Sequence, residues 1–229
     1  MDYVESKRAN IKEGIAPRTN LEAEYHLDNT GADTSGNSRT ATLANCTAVK
    51  DRFNRANKAE SFNGSTSYAT LPTTILPSNL ATSDWTVAMW VKPASVPASQ
   101  GFLFDGLSNV PYYTGFWIRY TSSKTYQIIF GDGVGGTTTL TSNNTYEPGQ
   151  WVLIIAGKNG TKGFILIQGS DYTEGSPTFT TASNYVYGLG RYLYSSGSAS
   201  YFNGAMSDVK TWNRALTSYE KRALIYNKQ

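Results

Sequence analysis

Residues 188–227, GLGRYLYSSGSASYFNGAMSDVKTWNRALTSYEKRALIYN, constrain the fold of this chain more than any other stretch. They read as a strand, a small-residue loop, two further strands and one short closing helix. The helix start is explicit. Thr217-Ser218-Tyr219-Glu220 is a capping box, in which hydroxyl and carboxylate each accept the other residue's backbone N–H. Tyr219, Ala223, Leu224 and Tyr226 then give it one apolar face.

Everything before that helix is written for strands. Charged residues make up 16% of the 229 and aromatic residues 13%, with Thr, Ser, Asn and Gly between them. That mixture favours strands and turns, and the length suits one large all-β domain. Residues 84–93 (DWTVAMWVKP) and 150–157 (QWVLIIAG) are apolar on both faces, which places them inside a sandwich. Residues 101–105, 115–121 and 126–130 read as a meander, extended by 137–141, 150–157 and 163–168. The last two are joined by a Lys-Asn-Gly-Thr-Lys turn that suits a hairpin. Residues 21–28 alternate cleanly, and 40–43 form a short strand. Strands at 178–181, 185–188, 201–203 and 205–214 complete the sheets.

Composition also excludes partners. A net charge of +3 is too small for a nucleic-acid footprint, and Lys50, Arg52, Arg55 and Lys58 read as a solvated loop. A single cysteine, Cys46, rules out an internal disulfide or a cysteine metal cluster, and reads as a small buried hydrophobe. No run reaches the ~18–20 apolar residues of a membrane span. The start MDYVESKRANIKEG has no apolar core of a secretion signal, so the expectation is synthesis in a cytoplasm without membrane insertion. Residues 1–22 are polar. They are expected to be an arm before a domain at 23–229, either a disordered leader or a segment that orders on a protein partner or in an oligomer. A short helix over 3–13 would have little face to bury.

Four blocks carry a family resemblance. They are the opening strand with its D-T-S-G-N turn at 33–37, FNGSTSYATLP at 62–72, WTVAMWVKP at 85–93, and YFNG with VKTWNRALT near the end. Together they resemble the laminin-G-like, concanavalin-A-like lectin/glucanase jelly rolls, over about residues 23–229. The resemblance implies a two-sheet antiparallel sandwich with one short C-terminal helix, and a hairpin at 59–72. It does not fix function, because that fold carries lectins, adhesins, glycosidase accessory modules and structural proteins.

Catalytic patterns are sparse. The nearest approach to the paired carboxylates of a retaining glucanase is Glu22, Glu24, His26 and Asp28, and alternation alone explains these as an outward polar face. There is no serine elbow, and GDGVGG at 131–136 precedes a β-prone run, so it is a glycine-rich turn and not a phosphate loop.

Two binding sites are expected instead. Asp33, Ser35 and Asn37, two apart in a glycine-bearing turn, suit calcium, which takes six to eight oxygen ligands. The resemblance implies a further ligand in the last strand, at Asp208, although Ser207 stands where relatives carry a first acid. Without an ion the same turn reads as an Asx-turn. For a glycan, the expected platform is Tyr112 and Tyr113 with Trp117, and Tyr192 and Tyr194 beside Arg191: flat rings for the apolar sugar face and polar groups to orient it.

The expected function is therefore a non-enzymatic adhesion module, carbohydrate-binding, and displayed through its arm on a larger assembly such as a bacteriophage virion. A glycoside hydrolase, or a purely structural virion protein, is the alternative.

Overall fold

The computed structural model describes residues 16–108, 114–180, 182, 184–193 and 201–226. Its first strands are β1 Leu21–Tyr25, β2 Thr42–Ala44, β3 Thr47–Val49, β4 Ala59–Asn63 and β5 Tyr68–Leu71. Next come β6 Trp85–Pro93, β7 Gln100–Ser108, β8 Thr114–Thr121, β9 Tyr126–Asp132 and β10 Thr137–Thr141. β11 Val152–Asn159, β12 Lys162–Ile167, β13 Asp171–Gly175, β14 Val186–Leu189, β15 Asn203–Trp212 and the helix α1 Ser218–Tyr226 follow.

Two antiparallel sheets result, and they stack as a jelly-roll sandwich. An eight-stranded sheet runs β13-β12-β11-β6-β15-β4-β3, with β1 also paired to β15, and a seven-stranded sheet runs β10-β9-β8-β7-β14-β5-β2. Strand alternation explains the core. From β6, Trp85, Val87, Met89 and Val91 point between the sheets, and Trp85 meets Phe116 of the facing sheet at 4.3 Å between ring centroids. The other face of β6 is apolar for a separate reason. Ala88 and Trp90 join Leu153, Ile155, Phe164 and Leu166 under Leu224 of α1, which forms a second, smaller core. The capping box forms as the sequence predicts: Glu220 N–H donates to Thr217 Oγ1 at 3.3 Å, and Thr217 N–H to Glu220 Oε2 at 2.9 Å.

Several expectations are corrected. The segment 59–72 is not a hairpin: β4 lies in one sheet and β5 in the other. The Asn63 side-chain carbonyl accepts the N–H groups of Ser65, Thr66 and Ser67 and turns the chain across the sandwich. β11 and β12 do form a hairpin, with Asn159 opposite Lys162, but in the sheet opposite the meander β7–β10. β13 was not expected, and residues 178–180 form no strand. Residues just before 23 also make contacts with the sheet. Ala16 is buried, Trp212 Nε1–H donates to the Pro17 carbonyl at 2.9 Å, and Arg18 pairs with Glu24. Residues 1–15, including the possible helix at 3–13, lie outside the described residues.

Candidate ligand-binding site

One corner of the sandwich gathers polar groups that the fold itself does not use. The loop 94–99 leads into β7, and the chain at Tyr201 and Phe202 leads into β15. Backbone hydrogen bonds fasten these pieces together: Phe202 N–H to the Gly190 carbonyl at 2.9 Å, Gly64 N–H to that of Phe202 at 3.1 Å, and Ala94 N–H to that of Asn203 at 2.9 Å. Between them is an open cavity of about 390 Å3, walled in part by Asn63, Ser95, Ser99, Gln100, Tyr201 and Asn203.

These side chains differ in what they have left to offer. Asn63 is committed to its turn. The Gln100 carbonyl accepts from Arg119, which also donates to Gln127 at 2.8 Å, and this leaves the Gln100 amide N–H groups. Among the described residues, the Asn203 amide and the hydroxyls of Tyr201, Ser95 and Ser99 have no protein partner. The corner thus presents donors and acceptors beside the Tyr201 ring, with Tyr120 and Phe202 also lining the cavity.

The aromatic residues expected from the sequence are placed next to it, in part. Tyr112, Tyr113 and Tyr194 lie outside the described residues. Trp117, Arg191 and Tyr192 come together on the outer face of the seven-stranded sheet. Trp117 is only 5% exposed, packed with Phe102, Leu107 and Ile129, so it does not present its ring as expected. Tyr192 covers this cluster, 4.6 Å from Phe102 and 6.3 Å from Trp117 between centroids. Arg191 lies 3.5 Å over the Tyr68 ring and bridges by backbone to Tyr201, which makes this face continuous with the corner.

Sequence reasoning missed the corner residues and one acid. Tyr201, Asn203 and Asn63 sit in the YFNG and FNG motifs, where they signalled only the fold. Asp105, alone in the apolar strand β7, is fully buried opposite Trp117 and Gly188. Burial pushes its carboxyl well above the usual carboxylate range, against the Leu193 N–H and the Arg191 charge. The Leu193 N–H donates to Asp105 Oδ2 at 2.5 Å and so anchors the 190–193 segment to the sheet.

The calcium expectation meets a different geometry. Asp33 Oδ1 accepts from the N–H groups of Glu24 and Ser35, and its Oδ2 from Arg39 N–H and the Ser35 hydroxyl. The Asn37 amide donates to the carbonyls of Leu21 and Glu22. This is the Asx-turn, closed on the protein itself. Asp208, at φ 51 in a bulge of β15, pairs with Arg52 and with His26 Nδ1 at 3.1 Å, and lies 3.6 Å from Lys210. Burial would raise its carboxyl, but Lys210, His26 and Arg52 together hold it well below the usual range. Cationic side chains stand where calcium would need free oxygens, so the residues present do not fit that ion. Among the described residues, no three His, Cys, Asp or Glu side chains converge on a metal position.

The acidic strand is not a solvated face either. Glu24 is 1% exposed and pairs with Arg18 and Lys210, while Glu22 pairs with Arg39, Asp28 with Lys58 and His26 with Asp208. Nor is the basic run a loose loop: Arg52 is buried over Trp90 at 4.6 Å, and Arg55 pairs with Asp51.

Comparison with known proteins fits this architecture. A family model described as the concanavalin A-like lectin/glucanases superfamily, of laminin-G type, matches residues 63–220. The chain belongs to this superfamily. The matched range takes in both walls of the corner, from Asn63 to Asn203. Among solved structures, domain 4 of a GH43 extracellular arabinanase from Geobacillus stearothermophilus, in complex with arabinotriose, is similar. It has a TM-score of 0.68 and 19% identity, over 91% of this chain and 98% of that one. The binding domain of botulinum neurotoxin DC, in complex with rat synaptotagmin II, has a TM-score of 0.72 and 12% identity over 93% of this chain. A botulinum neurotoxin type C structure, described as dependent on two ganglioside molecules for cell entry, has a TM-score of 0.72 and 12% identity over 97% of this chain. The chain spans about half the length of these neurotoxin structures, 52% and 53%. At such identities the likeness shows the fold. No curated protein sequence matches. No helix among the described residues is long and apolar enough to cross a membrane.

Proposed function

We propose that the chain is a non-enzymatic carbohydrate-binding module whose ligand, a neutral saccharide, occupies the corner cavity beside Tyr201. The observation that carries this is the set of uncommitted amide and hydroxyl groups around that ring, at Gln100, Asn203, Ser95 and Ser99. A sugar needs this combination: a flat apolar surface for its C–H face, and a few fixed polar groups for its hydroxyls. The similar arabinanase domain was solved with arabinotriose, which supports a saccharide ligand for this chain.

The catalytic alternative has no such support, since the acidic strand's carboxylates are held in ion pairs. Display on a larger assembly such as a virion, through the N-terminal arm, remains a separate proposal. It concerns residues 1–22, of which 1–15 lie outside the described residues.

Titration calorimetry with arabinotriose and a panel of neutral oligosaccharides tests the site. Binding by the full chain, weakened tenfold or more in Tyr201→Ala and Asn203→Ala at unchanged melting temperature, is the expected result. Absence of binding to every member, or binding that both variants retain, overturns it. Release of reducing ends from β-glucans would favour the hydrolase instead.

A further inference from the structure

α1 and the β12–β13 hairpin enclose a second groove of about 450 Å3, which shares no lining residue with the corner cavity. Its floor is Leu166 and Leu216, both buried. One wall carries Tyr172, 43% exposed and stacked on Phe164 at 6.2 Å between centroids. The other wall is basic. Lys221 places its ammonium 3.7 Å over the Phe164 ring and 5.8 Å from that of Tyr172, and exposed Arg222 follows it.

Among the described residues, neither Lys221 nor Arg222 has a carboxylate within 4.0 Å, although Glu174 lies near enough to act on Lys221. Of the nearby acids, Glu220 is paired with an arginine and Glu174 is not. Glu220 takes both ends of the Arg214 guanidinium at 2.8 Å, and Glu174 accepts the Tyr172 hydroxyl at 2.7 Å. Ser218, Asn159 and Ser170 add polar side chains to the groove without protein partners among the described residues. An exposed ring beside two cations, with Glu174 the one carboxylate acting on Lys221, keeps a net positive charge that is complementary to a ligand both saccharide and anion.

We propose that this groove binds an acidic saccharide, with a uronic acid ring on Tyr172 and its carboxylate between Lys221 and Arg222. The site is separate in place and in chemistry from the corner cavity, so neither proposal stands or falls with the other.

The probe is trigalacturonic acid, set against its fully methyl-esterified form, which keeps the rings and removes the charge. Both are titrated against the full chain by calorimetry at low and at moderate salt. The acid should bind, the ester at least tenfold more weakly, and added salt should weaken the acid alone. Arg222→Gln and Lys221→Met, the latter keeping the apolar cover over Phe164, should each reduce acid binding about threefold to tenfold, taking charge-assisted contacts as the measure. Tyr201→Ala should leave it unchanged. No binding of the acid, equal binding of acid and ester, or binding unaffected by both substitutions overturns the proposal. So does equal binding of a polyglutamate peptide, which would mark the groove as a site for acidic protein.

Discussion

Arg52 and Asp208 form an ion pair buried on both sides, with side chains 5% and 6% exposed, although 156 residues separate them in the chain. The pair clamps the loop after β3 to the bulge of β15, and His26 and Lys210 complete it. Removing Asp208 leaves Arg52 buried without its carboxylate, beside Lys210 and His26. Asp208→Asn should therefore lower unfolding stability by about 3–5 kcal/mol, read from urea denaturation. Arg52→Met, which keeps apolar contact with Trp90, should cost less, about 1–3 kcal/mol, because Lys210 and His26 still face Asp208. A loss below about 1 kcal/mol in both would show that the pair is solvated in solution.

The same ion pair decides the response to calcium. Binding would require Asp208 to exchange Arg52 for the ion, and Asp33 to abandon four hydrogen bonds. Melting curves in millimolar calcium and in chelator should coincide. A ligand-linked rise in melting temperature with calcium would contradict this.

Acid should unfold the protein through carboxylates held low in the native state. Asp208 lies well below its usual range, and Glu220 is lowered from 4.5 to about 2 by Arg214 and the cap, against burial. Groups with lowered folded values contribute stability that is complete above their unfolded pKa and lost as pH falls through the folded one. Urea midpoints should hold steady down to about pH 5 and then fall toward pH 2, and Glu220→Gln should flatten part of that fall.

Asp105 acts with the opposite sign. Its folded value is raised by burial, so its contribution is complete below the unfolded pKa and lost as pH rises toward the folded one. Asp105→Asn keeps a carbonyl for the Leu193 N–H and never ionises. It should raise stability at pH 7 relative to the parent and leave it little changed at pH 3, measured by urea midpoints at both values.

What could be read from the sequence followed what is local. The two-faced apolar pattern of β6 and β11 and the Thr217–Glu220 box each specify an element without reference to distant residues, and each is present. Pairing is not local. Alternation marks β4 and β5 as strands but says nothing of which sheet each joins, so a corner passed for a hairpin. β13, DYTEG, has no apolar alternation; it is an edge strand fixed by Asp171, whose carboxylate takes the amides of Asn143 and Asn144 and the Tyr146 hydroxyl. Glu24 looked like a surface residue because its partner Lys210 lies on the last strand. The corner was illegible for the same reason: Gln100, Tyr201 and Asn203 meet only when β7 and β15 both begin beside Gly64.

Gly64 offers a test of that corner that is independent of any ligand. It sits at φ +75, and a Cβ added there would come within 2.9 Å of the Asn203 Cβ. Gly64→Ala thus combines a left-handed backbone strain of about 1–2 kcal/mol with displacement of a side chain that walls the cavity. Asn203 is exposed and at the start of β15, so it can move outward while its backbone bond to Ala94 persists. The expected outcome is a folded protein with stability reduced by about that amount, and with amide resonance shifts concentrated at Asn203, Tyr201 and the 94–99 loop. Shifts spread evenly over both sheets would mean that Gly64 is a general determinant of the sandwich and not the hinge of the corner.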